Sequence, residues 1–206
     1  EANADIVALQ DSDTARISTG NIDAIRFLSV RLGYYEAYGP PTLDQIFGVS
    51  ILSRFPILRW ETILLPSLEA QRVMVWADVQ VGSQTLRVYA THFGDIDEER
   101  PLQARFVRTM TISAPSPRIL LGGINSQALE YCPGEGCSES AYNVLASVWT
   151  DGWTAAGRSL TDSAGFTWPA ASPAIRVDYV FLGPGMAVES IETPRNPLTQ
   201  VASDYL

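Results

Sequence analysis

Several short stretches of this chain place polar or ionisable side chains where an apolar run ends, the point at which a strand delivers its next residues to the rim of a sheet. Ile6-Val7-Ala8-Leu9 opens into Gln10-Asp11-Ser12-Asp13. The run Ile119-Leu120-Leu121 stops at Gly122-Gly123 and is followed by Ile124-Asn125-Ser126. Another run ends in Thr91-His92-Phe93-Gly94, which carries the chain's one histidine. In Arg176-Val177-Asp178-Tyr179-Val180-Phe181 an acid sits among apolar neighbours. Acids at strand ends are candidates for metal ligation or general base work. Alone, Asp11 and Asp13 are more often loop residues or helix caps, Gly122-Gly123 reads as a plain turn, and a lone histidine is commonly structural. Asp178, if buried, needs a partner or a metal.

The surrounding pattern supplies the elements that would hold these groups. Ile22, Ile25, Leu28 and Leu32 recur at helical spacing, and Gly33 is a suitable stop. Tyr34 to Tyr38 alternates as an extended segment, and Phe47 to Ser53 reads as a strand before a turn at Arg54-Phe55-Pro56-Ile57. Residues 72–81 and 85–91 form two strands about Gly82-Ser83, the first with Val73, Val75, Ala77, Val79 and Val81 on one half-buried face. A helix is expected over 97–110, with Glu98 and Glu99 favouring the positive end of its dipole and Pro101 near its start. A further helix is expected over 140–148. Residues 162–173 are turn-rich, and Ser203-Asp204-Tyr205-Leu206 follows without a helix stop. Strands with interspersed helices, no internal repeat and no linker imply two packed sheets with helices outside, a four-layer α/β sandwich.

With 206 residues and 46% hydrophobic composition, the chain is long enough for one large domain with a sizeable core. Its apolar runs are of strand length and do not span a membrane. It begins at Glu1 without an initiator methionine and reads as a segment of something longer. The net charge is −9, and all 14 basic residues are scattered arginines. Such a surface makes extended DNA or RNA a poor partner, because gripping a polyanion takes basic stripes. A small phosphate ester remains compatible. Cys132 and Cys137 flank Pro133-Gly134-Glu135-Gly136. A disulfide closing this loop is expected, and with it an oxidising compartment; free thiols in a surface loop are the other reading.

Taken in order, these blocks resemble the endonuclease/exonuclease/phosphatase superfamily, whose fold is deoxyribonuclease-like. Asp5-Ile6-Val7-Ala8-Leu9-Gln10-Asp11 is similar to its Asp-Ile-Val-Ala-Leu-Gln-Glu strand. Gly48 to Ile57 resembles its Gly-x-Ala-Ile-Leu-Ser-Arg-x-Pro-Ile strand. Thr91-His92-Phe93 matches Thr-His-Leu, and Gly122-Gly123-Ile124-Asn125 stands where Gly-Asp-Phe-Asn is found. Arg176 to Phe181 resembles Arg-Ile-Asp-Tyr-Ile-Phe, and Ser203-Asp204-Tyr205 stands where Ser-Asp-His is found. Residues 13–23 and 32–40 resemble the subgroup attached to multi-spanning membrane proteins, of the GPI-anchor lipid-remodelling type and its bacterial relatives. On that resemblance, residues 1–206 are one such domain lacking its first and last strands. It would be tethered to a membrane through a preceding segment, and the Cys132 and Cys137 pair favours the extracytoplasmic side.

The chemistry implied is metal-assisted phosphoester hydrolysis. By resemblance Asp11 is the Mg²⁺ ligand, and His92, Asn125, Asp178 and Asp204 are the retained catalytic residues. Two positions are degenerate. Gly123 replaces an aspartate that positions the water, and Tyr205 replaces a histidine base, with a reference pKa of ~10 that is unsuited to neutral pH. Asp11 itself replaces a glutamate one methylene longer, and Asp95 or Asp97 lies close enough in sequence to reach in. The expectation is an eroded, weakly active or non-catalytic domain of a membrane-associated protein. The alternative is a Mg²⁺-dependent phosphodiesterase or phosphatase acting on a small or lipid phosphoester.

Overall fold

The computed structural model describes residues 3–14, 20–41, 47–128 and 140–206. The expected Cys132–Cys137 disulfide lies outside the described residues. Two sheets face one another. The first has three antiparallel strands in the order β1-β3-β2: β1 (Ile6–Asp13), β2 (Tyr35–Gly39) and β3 (Phe47–Ser53). The second contains β4 (Ile57–Leu64), β5 (Val73–Val81), β6 (Gln84–His92), β7 (Arg118–Gly123), β8 (Thr150–Asp151) and β9 (Asp178–Leu182). Its order is β4-β5-β6-β7-β9-β8. Among the described residues only β6 and β7 run parallel in this sheet. The helix α2 (Glu99–Thr111) makes that crossover, as a parallel pair requires.

Val49, Ile51, Ala37, Val75, Ala77, Val79, Val88 and Ala90 fill the space between the sheets. Outside the second sheet, Ala104 and Val107 of α2, and Ala141, Val144 and Leu145 of α3 (Ala141–Ala146), pack on Met74, Tyr89, Leu120 and Phe181. Outside the first lies α1 (Ala24–Leu32), started by Asp23 accepting from Arg26 N at 2.8 Å and ended by Gly33 at φ 69°. The four expected layers are therefore present.

Several details differ from the sequence pattern. The strand β5 is not half-buried. Met74 is as fully covered as Val73 and Val75, because helices close the outer face as the first sheet closes the inner one. The apolar stripe of α1 is largely open. Ile25 and Ser29 are buried while Ile22 and Leu32 are more than half exposed, since a three-stranded sheet is too narrow to cover a whole helix face. The edge strand β4 has no clean alternation to announce it; Leu58, Trp60 and Leu64 are exposed along it. The expected helix over 140–148 ends at Ala146. A two-residue strand and the short helix α4 (Gly152–Ala155) follow, and α5 (Thr199–Ala202) precedes the last residues.

One buried ionic knot ties β8 to the segment that leads into β9. Arg176 Nη2 lies 2.5 Å from Asp151 Oδ2, and the Tyr142 hydroxyl donates to the same oxygen at 3.0 Å. Asp151 Oδ1 also accepts from Trp153 N at 2.9 Å. Buried opposite charges are retained only when both are hydrogen-bonded, and removing one partner strands the other. Asp151→Ala should therefore cost about 3–5 kcal/mol. Breaking the exposed pair Arg26–Glu36 with Arg26→Ala should cost under about 1 kcal/mol. Urea denaturation of the two variants checks the contrast, and equal losses would sink it.

Candidate active site

At the upper end of the second sheet, β6, β7 and β9 bring three residues into one row. His92 is in register with Gly123, and Gly123 with Asp178. Partners in register point to the same face, here the one turned toward the first sheet. His92 and Asp178 therefore flank the position of Gly123. A Cβ on Gly123 would lie 3.0 Å from Asp178 Oδ1 and 3.1 Å from His92 Cδ2. The row is this tight because of its neighbour. Gly122 has φ 138°, and a Cβ there would overlap the Thr91 carbonyl oxygen, so only glycine lets β7 lie this close to β6.

Across the mouth stands Asp11. The pairing of β1 with β3 slips between Leu9 and Ser12, where β1 holds one residue more than its partner. Such a bulge re-aims a side chain, and Asp11 takes φ 47° within it. Its Oδ2 comes within 3.3 Å of His92 Nδ1, without the alignment of a hydrogen bond, so that buried nitrogen has no hydrogen-bond partner among the described residues. Asn125, just past β7, is likewise left-handed at φ 50°. Asn and Asp tolerate this region better than other side chains, and such conformations gather at functional sites. Its Nδ2 donates to Phe93 O at 3.0 Å and to Asp95 Oδ1 at 3.1 Å, and lies 3.5 Å from His92 Nε2.

Two arginines and three acids that the motifs do not name lie at or beneath the rim. Asp95 turns into the mouth, where its Oδ2 lies 2.9 Å from Arg72 Nη2. Arg72 also approaches Asp11 Oδ1 at 3.8 Å. Asp97 turns away and pairs with Arg100 at 2.7 Å. Arg100 in turn donates to the carbonyls of Gly94, Asp95 and Asn125, stapling the loop after β6 to the loop after β7. Glu99 does more than favour a helix dipole. It is 1% exposed, its Oε2 accepts from Leu68 N at 3.1 Å, and its Oε1 accepts from Gln103, which also holds Gly94 N at 2.9 Å. Sequence alone offered Asp95 and Asp97 equally, and it offered nothing for Arg72 or Arg100.

Asp178 Oδ2 is buried with no hydrogen-bond partner among the described residues. Burial pushes the Asp178 carboxyl above the usual carboxylate range, against the Thr167 hydroxyl and the His92 ring, which pull it down. The Tyr205 ring stands edge-on to His92, with centroids 6.1 Å apart. Burial, and then the charges of Asp178, Asp95 and Asp11, push its phenol further up. Asp204 is not brought in. Its side chain is exposed, and its carbonyl accepts from Ala170 N at 2.8 Å. The chain therefore gathers Asp11, His92, Asn125, Asp178 and Tyr205 around the empty place at Gly123, and leaves Asp204 outside.

Whether this set suits a divalent cation can be judged from its donors. Among the described residues no group of three or more His, Cys, Asp or Glu is assembled to hold a metal ion, so an all-protein cage is absent from them. Mg²⁺ asks for less, since one or two carboxylates suffice and water and substrate oxygens complete the shell. The exposed Asp11 carboxylate beside the orphaned Asp178 Oδ2 and His92 Nδ1 fits that looser mode.

Two facing sheets with helices outside, and polar strand ends collected at one mouth, define a domain of the endonuclease/exonuclease/phosphatase superfamily. The chain belongs more narrowly to the family described as "PGAP2IP, C-terminal nuclease-like domain", whose model matches residues 1–147. Protein cwh43 of Schizosaccharomyces pombe (strain 972 / ATCC 24843) is 30% identical over 125 residues, 59% of this chain and 13% of that protein. This chain thus corresponds to a small part of that relative. The endonuclease/exonuclease/phosphatase from Bacteroides vulgatus superposes with a TM-score of 0.71 at 17% identity, over 98% of this chain and 81% of that one. D. rerio TDP2, humanized by 14 mutations, gives 0.66 at 24% identity, over 91% and 72%. At these identities the structural likeness shows the fold alone.

An acid whose folded-state pKa lies above its unfolded value contributes stability while protonated and loses it as pH rises through the folded value. Asp178→Asn should therefore melt higher than wild type at pH 7 in EDTA, by about 2–4 °C for ~1 kcal/mol in a chain this size. The difference should close as pH falls below the carboxylate range. Identical melting at pH 7 would show that burial does not strain this carboxyl.

Proposed function

We propose that this domain holds a phosphoester in an eroded hydrolase site, turning it over weakly or not at all, as part of a membrane-associated protein. The observation that carries the reading is the row His92–Gly123–Asp178. Its central position holds no side chain to orient a water or take a proton, although both flanking groups are in place. Tyr205 deepens the deficit, because a phenol held above its ordinary pKa can donate a hydrogen bond but is no base at neutral pH. What remains suits binding. Asn125 and His92 point into the mouth, and Arg72 brings a guanidinium to its edge. The superfamily's chemistry is generally metal-dependent. Mg²⁺, if held by Asp11, would polarise the phosphate. Membrane association rests on the resemblance of residues 13–23 and 32–40. No helix among the described residues is long and apolar enough to cross a membrane.

A second reading, a Mg²⁺-dependent phosphodiesterase or phosphatase acting on a small or lipid phosphoester, is favoured by Asp95. Its carboxylate enters the mouth and hydrogen-bonds Asn125, which puts an acid near the place Gly123 leaves empty.

A Mg²⁺ titration with a generic bis-aryl phosphodiester separates the two. On the eroded-site reading, wild type stays near background, and combined Gly123→Asp and Tyr205→His raises turnover by about 10²–10⁴-fold. Robust wild-type turnover abolished by His92→Ala would sink that reading in favour of the enzyme.

A further inference from the structure

The lower end of the second sheet carries another cross-strand row, on the face turned away from the first sheet. Arg59 of β4 is in register with Asp78 of β5, Asp78 with Arg87 of β6, and Arg87 with Arg118 of β7. Strand side chains alternate between faces, so Arg87 and His92, five residues apart on β6, point to opposite faces about 17 Å apart along the strand. Asp78 accepts from Arg59 Nε at 2.5 Å, from Arg87 Nη2 at 3.0 Å and from Arg87 Nε. Burial works against the Asp78 carboxylate, but the guanidiniums of Arg87 and Arg59 prevail and hold it below its usual range. Three arginines thus face one ionised aspartate in this row, in a chain of net charge −9. Beside the row opens a cavity of 660 Å³, where Arg59, Asp78 and Arg87 meet the side chains of Gln84, Thr85 and Ser116. Among the described residues Asp78 is the one acid that lines it.

We propose that this cavity binds a small, doubly charged oxyanion, a phosphate monoester or a dicarboxylate, at a site separate from the mouth. Donor count argues for it. Two guanidiniums carry about ten N–H donors and a carboxylate has about four acceptor positions, so Asp78 cannot occupy them all. The Arg59 side chain is 67% exposed, which leaves its remaining donors open at the cavity edge. Both guanidiniums are held in place by stacking, Arg87 at 4.0 Å and Arg59 at 5.6 Å from the Trp76 ring centroid. A stacked guanidinium keeps its N–H edge for in-plane acceptors, the geometry in which phosphate and carboxylate oxygens are taken bidentately. The rim is pinned as well, with Arg87 N donating to Pro117 O at 3.0 Å and Arg118 donating to Ala114 O. Arg118 adds charge behind the site. It is 5% exposed, and its Nε has no hydrogen-bond partner among the described residues. A cation at the buried end of the row raises the potential that an anion in the cavity feels. With one aspartate against three arginines, two charges remain to be balanced, which a dianion does and a monoanion does not. At 660 Å³ the cavity lies within the range of small-molecule sites, ~300 to ~1,000 Å³. An extended polyanion would instead meet a surface of net charge −9.

Titration of the ¹⁵N-labelled 206-residue chain in EDTA tests this, read at the arginine Nε–H resonances, with glycerol 3-phosphate, succinate and acetate as probes. A second charge held a few ångströms from a guanidinium is worth about tenfold in affinity. At least one of the two dianions should therefore shift the Arg59 and Arg87 resonances saturably and about tenfold tighter than acetate, and the tighter of the two names the class. Arg59→Gln should weaken that binding about tenfold. Thr85→Glu, at an exposed position next to Arg87 on the same face of β6, should abolish it by setting a carboxylate in the cavity. His92→Ala should leave it unchanged. The proposal is overturned if neither dianion shifts these resonances, if acetate binds as tightly, or if Arg59→Gln and Thr85→Glu leave the response intact. Loss of the response in His92→Ala would also overturn it, since the anion would then sit in the mouth.

Discussion

Everything at the mouth of this domain depends on how closely β7 lies against β6. Gly122 makes that approach possible, because any side chain there would run into the Thr91 carbonyl. With the register so fixed, His92 and Asp178 flank Gly123, and their distance from it is set by backbone hydrogen bonding and not by side-chain choice. The position between them is therefore specified in space even though nothing fills it. In such a row a glycine is a chemical vacancy as well as a conformational choice, since a Cβ there would already be in contact with both neighbours.

The loops around this row are held by polar groups buried at the start of α2. Glu99 and Gln103 grip the loops on either side of β5 and β6, and Arg100 fastens three carbonyls from the loops after β6 and β7. These bonds explain why a helix that looks like an ordinary crossover carries charged residues on its buried side. They also decide that Asp95 faces the mouth while Asp97 faces its own arginine. On the far side, the Arg176–Asp151 pair anchors the segment entering β9 and so places Asp178. The functional geometry is thus carried by a few buried polar contacts on top of a conventional apolar sandwich. Losing one of them disturbs the site and the stability together.

The mouth keeps His92 and Asn125, while Gly123 offers no side chain and the Tyr205 phenol is held above its ordinary pKa. The strained backbones of Asp11 and Asn125 persist in it. So does the unsatisfied Asp178 oxygen, which costs stability in the absence of a ligand or cation.

The sequence by itself determined the class of fold. Apolar runs of strand length, their punctuation by Gly and Pro, and the order of the polar strand ends survive in one dimension because strand periodicity and turn chemistry are local. It also singled out Asp11, His92, Gly123, Asn125, Asp178 and Tyr205, which do meet. It did not reveal β4, whose exposed edge lacks alternation, nor the covering of both faces of β5, which depends on helices distant in the chain. It named Asp204 by motif; the structure leaves that residue exposed while the neighbouring Tyr205 ring stands against His92. Arg72 and Arg100 joined the site only in three dimensions, and the choice of Asp95 over Asp97 was made there too. Their roles come from contacts between loops far apart in sequence, and no local pattern records which of two neighbouring carboxylates an arginine across the cleft will hold.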